Sequence, residues 1–307
     1  MSQTTSQILM IRPANFGFNA QTAENNAFQS NSKSESADDI ASKARAEFDN
    51  MVDVLRARGI HINVVEDTKE PSKPDAIFPN NWISFHEDGA VITYPMYAPN
   101  RRIERREEII EDLGQKFDLG RRYTFEHYED DDMFLEGTGS MLFDRERNIV
   151  YACLSERTDP QLLDKFCVLT NSRKVAFHSV DRQGDAIYHT NVMMALGEDF
   201  AILCTASIQK EEELTELLKT LEETDKEVVD INYGQMEQFA GNMLQVRNDE
   251  GETFLVLSQA AYDSLDEGQI ETLNSKTTLL PIDISTIEYY GGGSVRCMMA
   301  EVFLPLK

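Results

Sequence analysis

Apolar and polar positions along the chain fall into a cycle. A short apolar stretch, residues 7–11, opens as a strand and gives way to a polar loop rich in Asn, Gln and Ser that runs to about Glu35. From Ser36 to Arg58, Ile40, Ala44, Phe48, Met51, Val52 and Leu55 recur at helical spacing, with Gly59 as the stop. Residues 61–65 return to strand. The same alternation then predicts a helix from Asn100 through Leu113 to Gly114 and a strand over 122–128. Asp159-Pro160 opens a helix with Leu162, Leu163 and Phe166 inward, and a strand follows over 174–180. Ser207 is placed to cap a helix carrying Leu214, Leu217, Leu218 and Leu221, ahead of a strand over 227–231. A last helical stretch from Ser258, weakened at Gly268, precedes a strand over 277–280.

After each of these strands comes a segment that is polar at its head and apolar behind. The heads are Pro79-Asn80-Asn81, Glu136-Gly137-Thr138-Gly139, His189-Thr190-Asn191, Gly241-Asn242 and Ser294-Val295-Arg296-Cys297. Aligned on Asn81, Thr138, Asn191, Asn242 and Cys297, they are spaced by 57, 53, 51 and 55 residues. A near-constant period marks a repeat architecture. The first four units continue into a second apolar strand, at 90–94, 148–153, 200–204 and 253–257, whereas the fifth stops after 298–303. The orphan strand 7–11 is therefore predicted to complete the fifth unit. The expectation is an α/β fold, a pseudo-five-fold propeller of ββαβ units in one catalytic domain over 1–307, with helices outside and a site on the axis. Radial repetition of this kind leaves only short sheet edges.

Composition narrows what such a ring does. The 307 residues are 41% hydrophobic and 27% charged, as in soluble globular chains. Residues 1–6 lack the basic and apolar parts of a signal peptide, and no apolar run reaches membrane-spanning length. The four cysteines lie far apart with no C-x-x-C pair, which reads as free thiols in a cytoplasm. A net charge of −25 disfavours nucleic acid and anionic membranes as partners and tolerates a cationic or zwitterionic small molecule. The acid run 129–132 is contiguous rather than interleaved, so it reads as solvated surface and not as a metal site. No cofactor is implied. The oligomeric state stays open, a homo-oligomer included.

Candidate chemistry concentrates on the heads. Gly291-Gly292-Gly293 lets the backbone pass close to another group before it delivers Cys297, although a hairpin turn with a buried cysteine would read alike. The repeat places His189 and Glu136 on the same axis. Cys297 then reads as nucleophile, its thiol lowered by an imidazolium from His189, the acid/base group. Glu136 orients His189 or binds a substrate N–H. The plainer alternatives are a core histidine satisfied by backbone and an ordinary loop acid. Among the other histidines, His86 and His127 read as surface, while His61 and His178 sit in outer strands. Cys153, Cys167 and Cys204 read as core. Arg101-Arg102 and Arg105-Arg106 open a helix; Arg101 is the candidate for a substrate carboxylate, against a solvated helix face.

Over essentially its whole length the chain resembles the pentein, or guanidino-group-modifying, superfamily, which includes arginine deiminases, dimethylarginine hydrolases, succinylarginine dihydrolase and amidinotransferases. The resemblance rests on the five-unit cycle, Leu135-Glu136-Gly137, His189-Thr190-Asn191 and the Gly-rich approach to Cys297. It implies Cys297 as nucleophile, His189 as general acid/base and Glu136 as the acid beside it. Arginine deiminases carry aspartates where this chain looks to have Asn81 and Asn191. A buried aspartate needs a cation, whereas Asn offers both a donor and an acceptor. The expectation is thus hydrolysis of citrulline-type ureido substrates, as in citrulline-hydrolysing amidinotransferase-like proteins, to ornithine, carbon dioxide and ammonia. Substrate contacts would come from Asn81, Asn191 and Asn242, with Gly292 and Gly293 supplying backbone donors to the oxyanion. Asp75 is an alternative carboxylate that would favour arginine deiminase, dihydrolase or amidinotransferase chemistry; a non-catalytic ligand-binding ring is the remaining alternative. The loop from Asn15 to Asn26 is placed to cover the pocket.

Overall fold

Five three-stranded sheets realise the five-fold pattern. The computed structural model describes residues 2–24, 26–31 and 35–307. In unit 1, Ile83–Phe85 pairs antiparallel with Val91–Thr93, helix Glu107–Lys116 crosses over, and Arg122–Thr124 adds in parallel. Unit 2 repeats this with Leu142–Asp144, Ile149–Cys153, helix Pro160–Thr170 and Arg173–Phe177. Unit 3 uses Met194–Leu196, Phe200–Leu203, helix Glu211–Glu223 and Glu227–Asp230. Unit 4 uses Leu244–Arg247, Thr253–Ser258, two short helices and Thr278–Ile282. A hairpin needs only a tight turn, while a parallel addition needs a helical crossover, so each unit alternates the two.

The fifth sheet joins both ends of the chain. Gln7–Arg12 is its central strand, antiparallel to Ala300–Glu301 through Ile8↔Glu301 and Leu9↔Ala300. On its other side it runs parallel to His61–Glu66, after the crossover helix Ala37–Ala57. That helix begins at Ser36, whose Oγ accepts the Asp39 N–H at 3.2 Å. Its inward face, Ala44, Phe48, Met51 and Leu55, is fully buried. Each large apolar side chain so buried contributes about 1.5–3 kcal/mol. The cores lie between neighbouring sheets: Phe48 and Met51 of unit 5 share one cluster with Phe254 and Val256 of unit 4.

Several predicted boundaries move. The helix expected over 100–113 is broken into a 3-10 turn, Pro99–Glu104, and helix Glu107–Lys116, which runs through Gly114. Arg101 and Glu104 face the interior while Ile109, Ile110 and Leu113 face the sheet, and one straight helix cannot serve both directions. The strand expected to reach 128 ends at Thr124, because a 3-10 turn follows over Glu126–Asp131; of the acid run only Glu129 turns inward, while Asp130, Asp131 and Asp132 stay exposed. Glu129 is not merely solvated: it accepts the Met96 N–H at 2.7 Å and pairs with Arg105 at 2.6 Å. Ser207 bonds its own turn, to Cys204 O, and caps nothing; three glutamates, Glu211 to Glu213, face the dipole of the next helix instead. The break in unit 4 falls at Leu265-Asp266, with Asp266 capping Glu267–Asn274, and Gly268 lies inside that helix. The strand expected over 298–303 is reduced to Ala300–Glu301. A helix not anticipated, Ser285–Gly291, stands ahead of the glycines. His86, expected at the surface, is half-buried against Phe143 and Phe166. Among the described residues no helix is long and apolar enough to cross a membrane.

Candidate active site

The polar heads are not strand ends, as the pattern suggested, but single helical turns stacked about the axis. Pro79–Asn81, Gly137–Ser140 and Thr190–Met193 are three of them. Tight turns also close at Asn242, whose N–H donates to Phe239 O at 2.8 Å, and at Cys297, whose N–H donates to Ser294 O at 3.0 Å. Neighbouring heads are stitched together: Thr138 Oγ1 donates to Asn80 O, Thr190 Oγ1 to Ser140 O and Asn242 Nδ2 to Asn191 O. Gly139 is required by this stacking. A Cβ there would come within 2.4 Å of Asn81 Nδ2 and 2.8 Å of His189 Nδ1.

Cys297 is buried, 7% exposed, at the end of the glycine approach. Helix Ser285–Gly291 ends on Gly292, which adopts φ 63°, the left-handed conformation that glycine accommodates without strain. Two amides reach the sulfur: Asn242 Nδ2 lies 3.3 Å from Cys297 Sγ and Asn191 Nδ2 lies 3.5 Å away.

His189 Nε2 is 2.8 Å from Glu136 Oε2. Glu136 is fully buried, and its other oxygen accepts the Tyr97 N–H at 2.9 Å. Burial opposes its ionisation, yet Arg157, the His189 hydrogen bond and Arg101 outweigh it and hold the carboxyl down at about 2. Burial keeps the His189 imidazole below its ordinary pKa against the pull of Glu136. An ionised Glu136 only accepts, so Nε2 carries the proton and Nδ1 the lone pair. Both oxygens of Glu136 are thus occupied, which makes it the group that orients His189. Burial works against an imidazolium at His189, and no hydrogen bond joins His189 to Cys297 among the described residues.

Asn81 is gripped from behind. Arg101 NH1 donates to Asn81 Oδ1 at 2.8 Å, while its Nε and NH2 form a fork onto Glu104, both at 2.9 Å. Arg101 is buried and spent on these partners and on Phe78 O. It is neither a solvated helix face nor an open carboxylate ligand. A guanidinium can only donate, so the atom facing it is Oδ1, and Nδ2 is left without a partner among the described residues. Asp75 is its complement: Oδ2 accepts Asn19 Nδ2 at 2.7 Å and Thr22 Oγ1 at 3.2 Å, while Oδ1 has no hydrogen-bond partner among the described residues. Burial pushes the Asp75 carboxyl above its ordinary pKa, with Arg101 opposing.

These groups enclose a small cavity of about 20 Å³ lined by Asp75, Asn81, Arg101, His189, Gly292, Gly293 and Cys297, and by Arg157, Tyr188, Thr22 and Asn26. The N-terminal loop does cover it. Asn19 and Thr22 bond Asp75, Thr22 O accepts from Arg157 NH2 at 3.1 Å, and Asn26 Nδ2 reaches Gly292 O at 3.4 Å. Of the sequence candidates, Asn191 and Asn242 stand behind the sulfur rather than in the cavity wall, and Glu136 stands behind His189. The Gly292 N–H is committed to Glu288 O at 2.9 Å, which removes it as an oxyanion donor. Arg157 and Tyr188 carry no signal in the repeat pattern; Arg157 lies outside the heads, and its burial (2% exposed) beside Glu136 is what marks it.

Residues 12–304 match the family profile described as N,N dimethylarginine dimethylhydrolase, eukaryotic. Comparison with curated protein sequences gives no match. Among solved structures, the chain superposes on apo ArgZ, an arginine dihydrolase from the ornithine-ammonia cycle in Cyanobacteria, with a TM-score of 0.74 at 15% identity over 98% of this chain and 41% of that one. Unliganded AgrE gives 0.76 at 15% identity over 98% of this chain and 40% of its own. A dimethylarginine dimethylaminohydrolase, solved as an adduct with S-methyl-L-thiocitrulline, gives 0.66 at 15% identity over 97% and 99%. The chain therefore spans about two fifths of full-length ArgZ and AgrE. These likenesses establish the pentein fold.

Proposed function

The chain belongs to the N,N dimethylarginine dimethylhydrolase family of the pentein superfamily, enzymes that hydrolyse C–N bonds of guanidino groups, and from that premise we propose that it is a cysteine-dependent hydrolase of citrulline-type ureido substrates. The observation that carries the reading is the polarity of Asn81. Its amide, fixed by Arg101, turns an unpartnered N–H donor to the cavity, and Asp75 turns an unpartnered acceptor. A ureido group has an oxygen for the first and N–H groups for the second; a guanidinium has donors alone and would leave Asn81 Nδ2 unpaired. An unmade hydrogen bond of this kind costs about 1–3 kcal/mol.

In this reading the Cys297 thiolate attacks the ureido carbon. Asn81 Nδ2 donates to the oxygen as it becomes an oxyanion. The C–N bond to the side-chain amine breaks, and that nitrogen takes the proton the thiol gave up, relayed through His189 Nδ1. Ornithine leaves, and a carbamoyl thioester remains on Cys297. Water, deprotonated by His189, attacks the thioester carbonyl, and the carbamate released falls to carbon dioxide and ammonia. Glu136 stabilises the imidazolium at each transfer. Acid-quenching the enzyme during citrulline turnover and mapping peptides by mass tests this: a carbamoyl group on the Cys297 peptide is expected. Turnover retained by Cys297→Ala would sink the mechanism.

One observation favours a second reading, hydrolysis of a guanidino substrate. The free Asp75 oxygen is a carboxylate suited to a cation, and the relatives include an arginine dihydrolase.

A further inference from the structure

A second cavity lies away from the axis, between units 1 and 2, and shares no lining residue with the one at Cys297. Its volume is about 100 Å³. One water needs about 10–15 Å³ of such space, so this one holds several waters or a single small organic molecule. Ile92, Ile149, Val150, Phe143, Phe166 and Leu169 give it an apolar wall, with the Phe143 and Phe166 rings stacked at 5.5 Å and 8°. Arg145, Asp144 and His86 are among the polar side chains that interrupt this wall.

Arg145 is the anomaly. It is 7% exposed, yet its guanidinium makes no hydrogen bond or ion pair among the described residues. It lies 3.8 Å over the Phe303 ring and 5.1 Å from that of Phe143, contacts that suit a cation but leave its N–H donors unmet. Burial lowers its pKa, with Glu301 the first charge to oppose this, and Glu301 is itself taken by Arg296 at 3.0 Å. A buried charge without a partner is strongly unfavourable, and the planar fork of a guanidinium matches a carboxylate. The acids on the wall are otherwise engaged: Asp88 accepts the Ala90 N–H at 3.0 Å, and Asp144 has Lys226 at 3.5 Å. His86 has its Nε2 2.9 Å from Ser84 Oγ, and its Nδ1 is without a hydrogen bond among the described residues.

We propose that this cavity is a binding site for a small carboxylate with an apolar body, its carboxylate on Arg145 and its body against Phe143, Phe166 and Leu169. The site is independent of the reaction at Cys297 and of the substrate attacked there.

The test is calorimetric titration of the full-length protein with three probes of one shape: 4-methylpentanoate, its neutral amide and leucine. The acid is expected to bind saturably in the millimolar range, and the amide at least about tenfold more weakly, because it cannot take the charge-assisted pair. Arg145→Leu is expected to keep its melting temperature, since it removes an unpaired buried charge, and to lose at least about tenfold in affinity for the acid. Leu169→Trp narrows the cavity with Arg145 in place; it is expected to abolish binding, and it supplies the result if Arg145→Leu fails to fold. Leucine separates two sources of the same chemistry. Tighter binding than the plain acid assigns the site to an amino acid, with its ammonium on the free Asp144 Oδ2; weaker binding assigns it to a carboxylic acid. Either order supports the site when it depends on Arg145. Amide and acid binding alike, affinity unchanged in the variants, or no saturation up to about 10 mM would each overturn the proposal.

Discussion

At the scale of single residues, function turns on which end of an amide faces the cavity. Asn81 and aspartate have nearly the same shape, yet one offers hydrogens to a ureido oxygen and the other offers only oxygens. With Arg101 holding Oδ1, Asn81→Asp would keep the hydrogen bond from Arg101 and replace the cavity-facing donor by an acceptor. The expected outcome is a fall of about a hundredfold in kcat/KM for citrulline, the cost of one charge-bearing hydrogen bond lost in the transition state, read from initial rates of ornithine release. An unchanged kcat/KM would mean that Asn81 does not touch the reacting oxygen. The repeat register was enough to bring Cys297, His189, Glu136 and Asn81 to the axis from the sequence. It could not tell that Asn191 and Asn242 serve the sulfur while Asn81 serves the cavity. That distinction is made by Arg101, twenty residues beyond Asn81, and by the Asn191 carbonyl, neither of which the period encodes.

At the scale of elements, the glycine approach works because a helix precedes it. Helix Ser285–Gly291 carries little local signal, since Ile287 and Tyr290 are its few buried apolar side chains. Its N-terminus is held from unit 5, where Glu47 accepts the N–H groups of Thr286 and Ile287 at 2.9 and 3.0 Å. A cap supplied from 239 positions away is invisible to a reading of neighbouring residues. The one-turn heads escaped for a related reason, being shorter than the period needed to declare a helix. Beneath the glycines Glu288 accepts Ser294 Oγ at 2.6 Å, and burial pushes its carboxyl up to about 7. A carboxyl raised on folding favours the protonated native state. Its contribution is complete below the unfolded value near 4.5 and is lost as pH rises through about 7, by up to about 3 kcal/mol. Glu47 and Asp283 face it with like charge and act in the same direction. Glu288→Gln should therefore lose less melting temperature than the native protein between pH 5 and pH 8. Parallel melting curves across that range would contradict a buried, titrating Glu288.

At the scale of the whole molecule, the ring was legible because counting strands exposed a deficit. A fifth unit lacking a strand and an N-terminal strand lacking a unit have one economical solution, and Gln7–Arg12 occupies it as the central strand of the fifth sheet. Closure has a functional consequence, since the same sheet carries the strand that follows Cys297. The loop that leaves Gln7–Arg12 then passes over the cavity and bonds Asp75, Arg157 and Gly292 on the way to the crossover helix. Sheet, catalytic turn and cover are thus consecutive parts of one unit, and the other four supply the groups that meet them on the axis. The covering loop limits the access of bulk solvent to the cavity. The account stands on the match between a ureido group and the paired donor and acceptor of that cavity. Its most direct measurement is ornithine and ammonia release from citrulline, arginine and agmatine under identical conditions. Citrulline is predicted to give ornithine and ammonia in equal amounts, with arginine and agmatine untouched; consumption of arginine by a protein inert towards citrulline would contradict it.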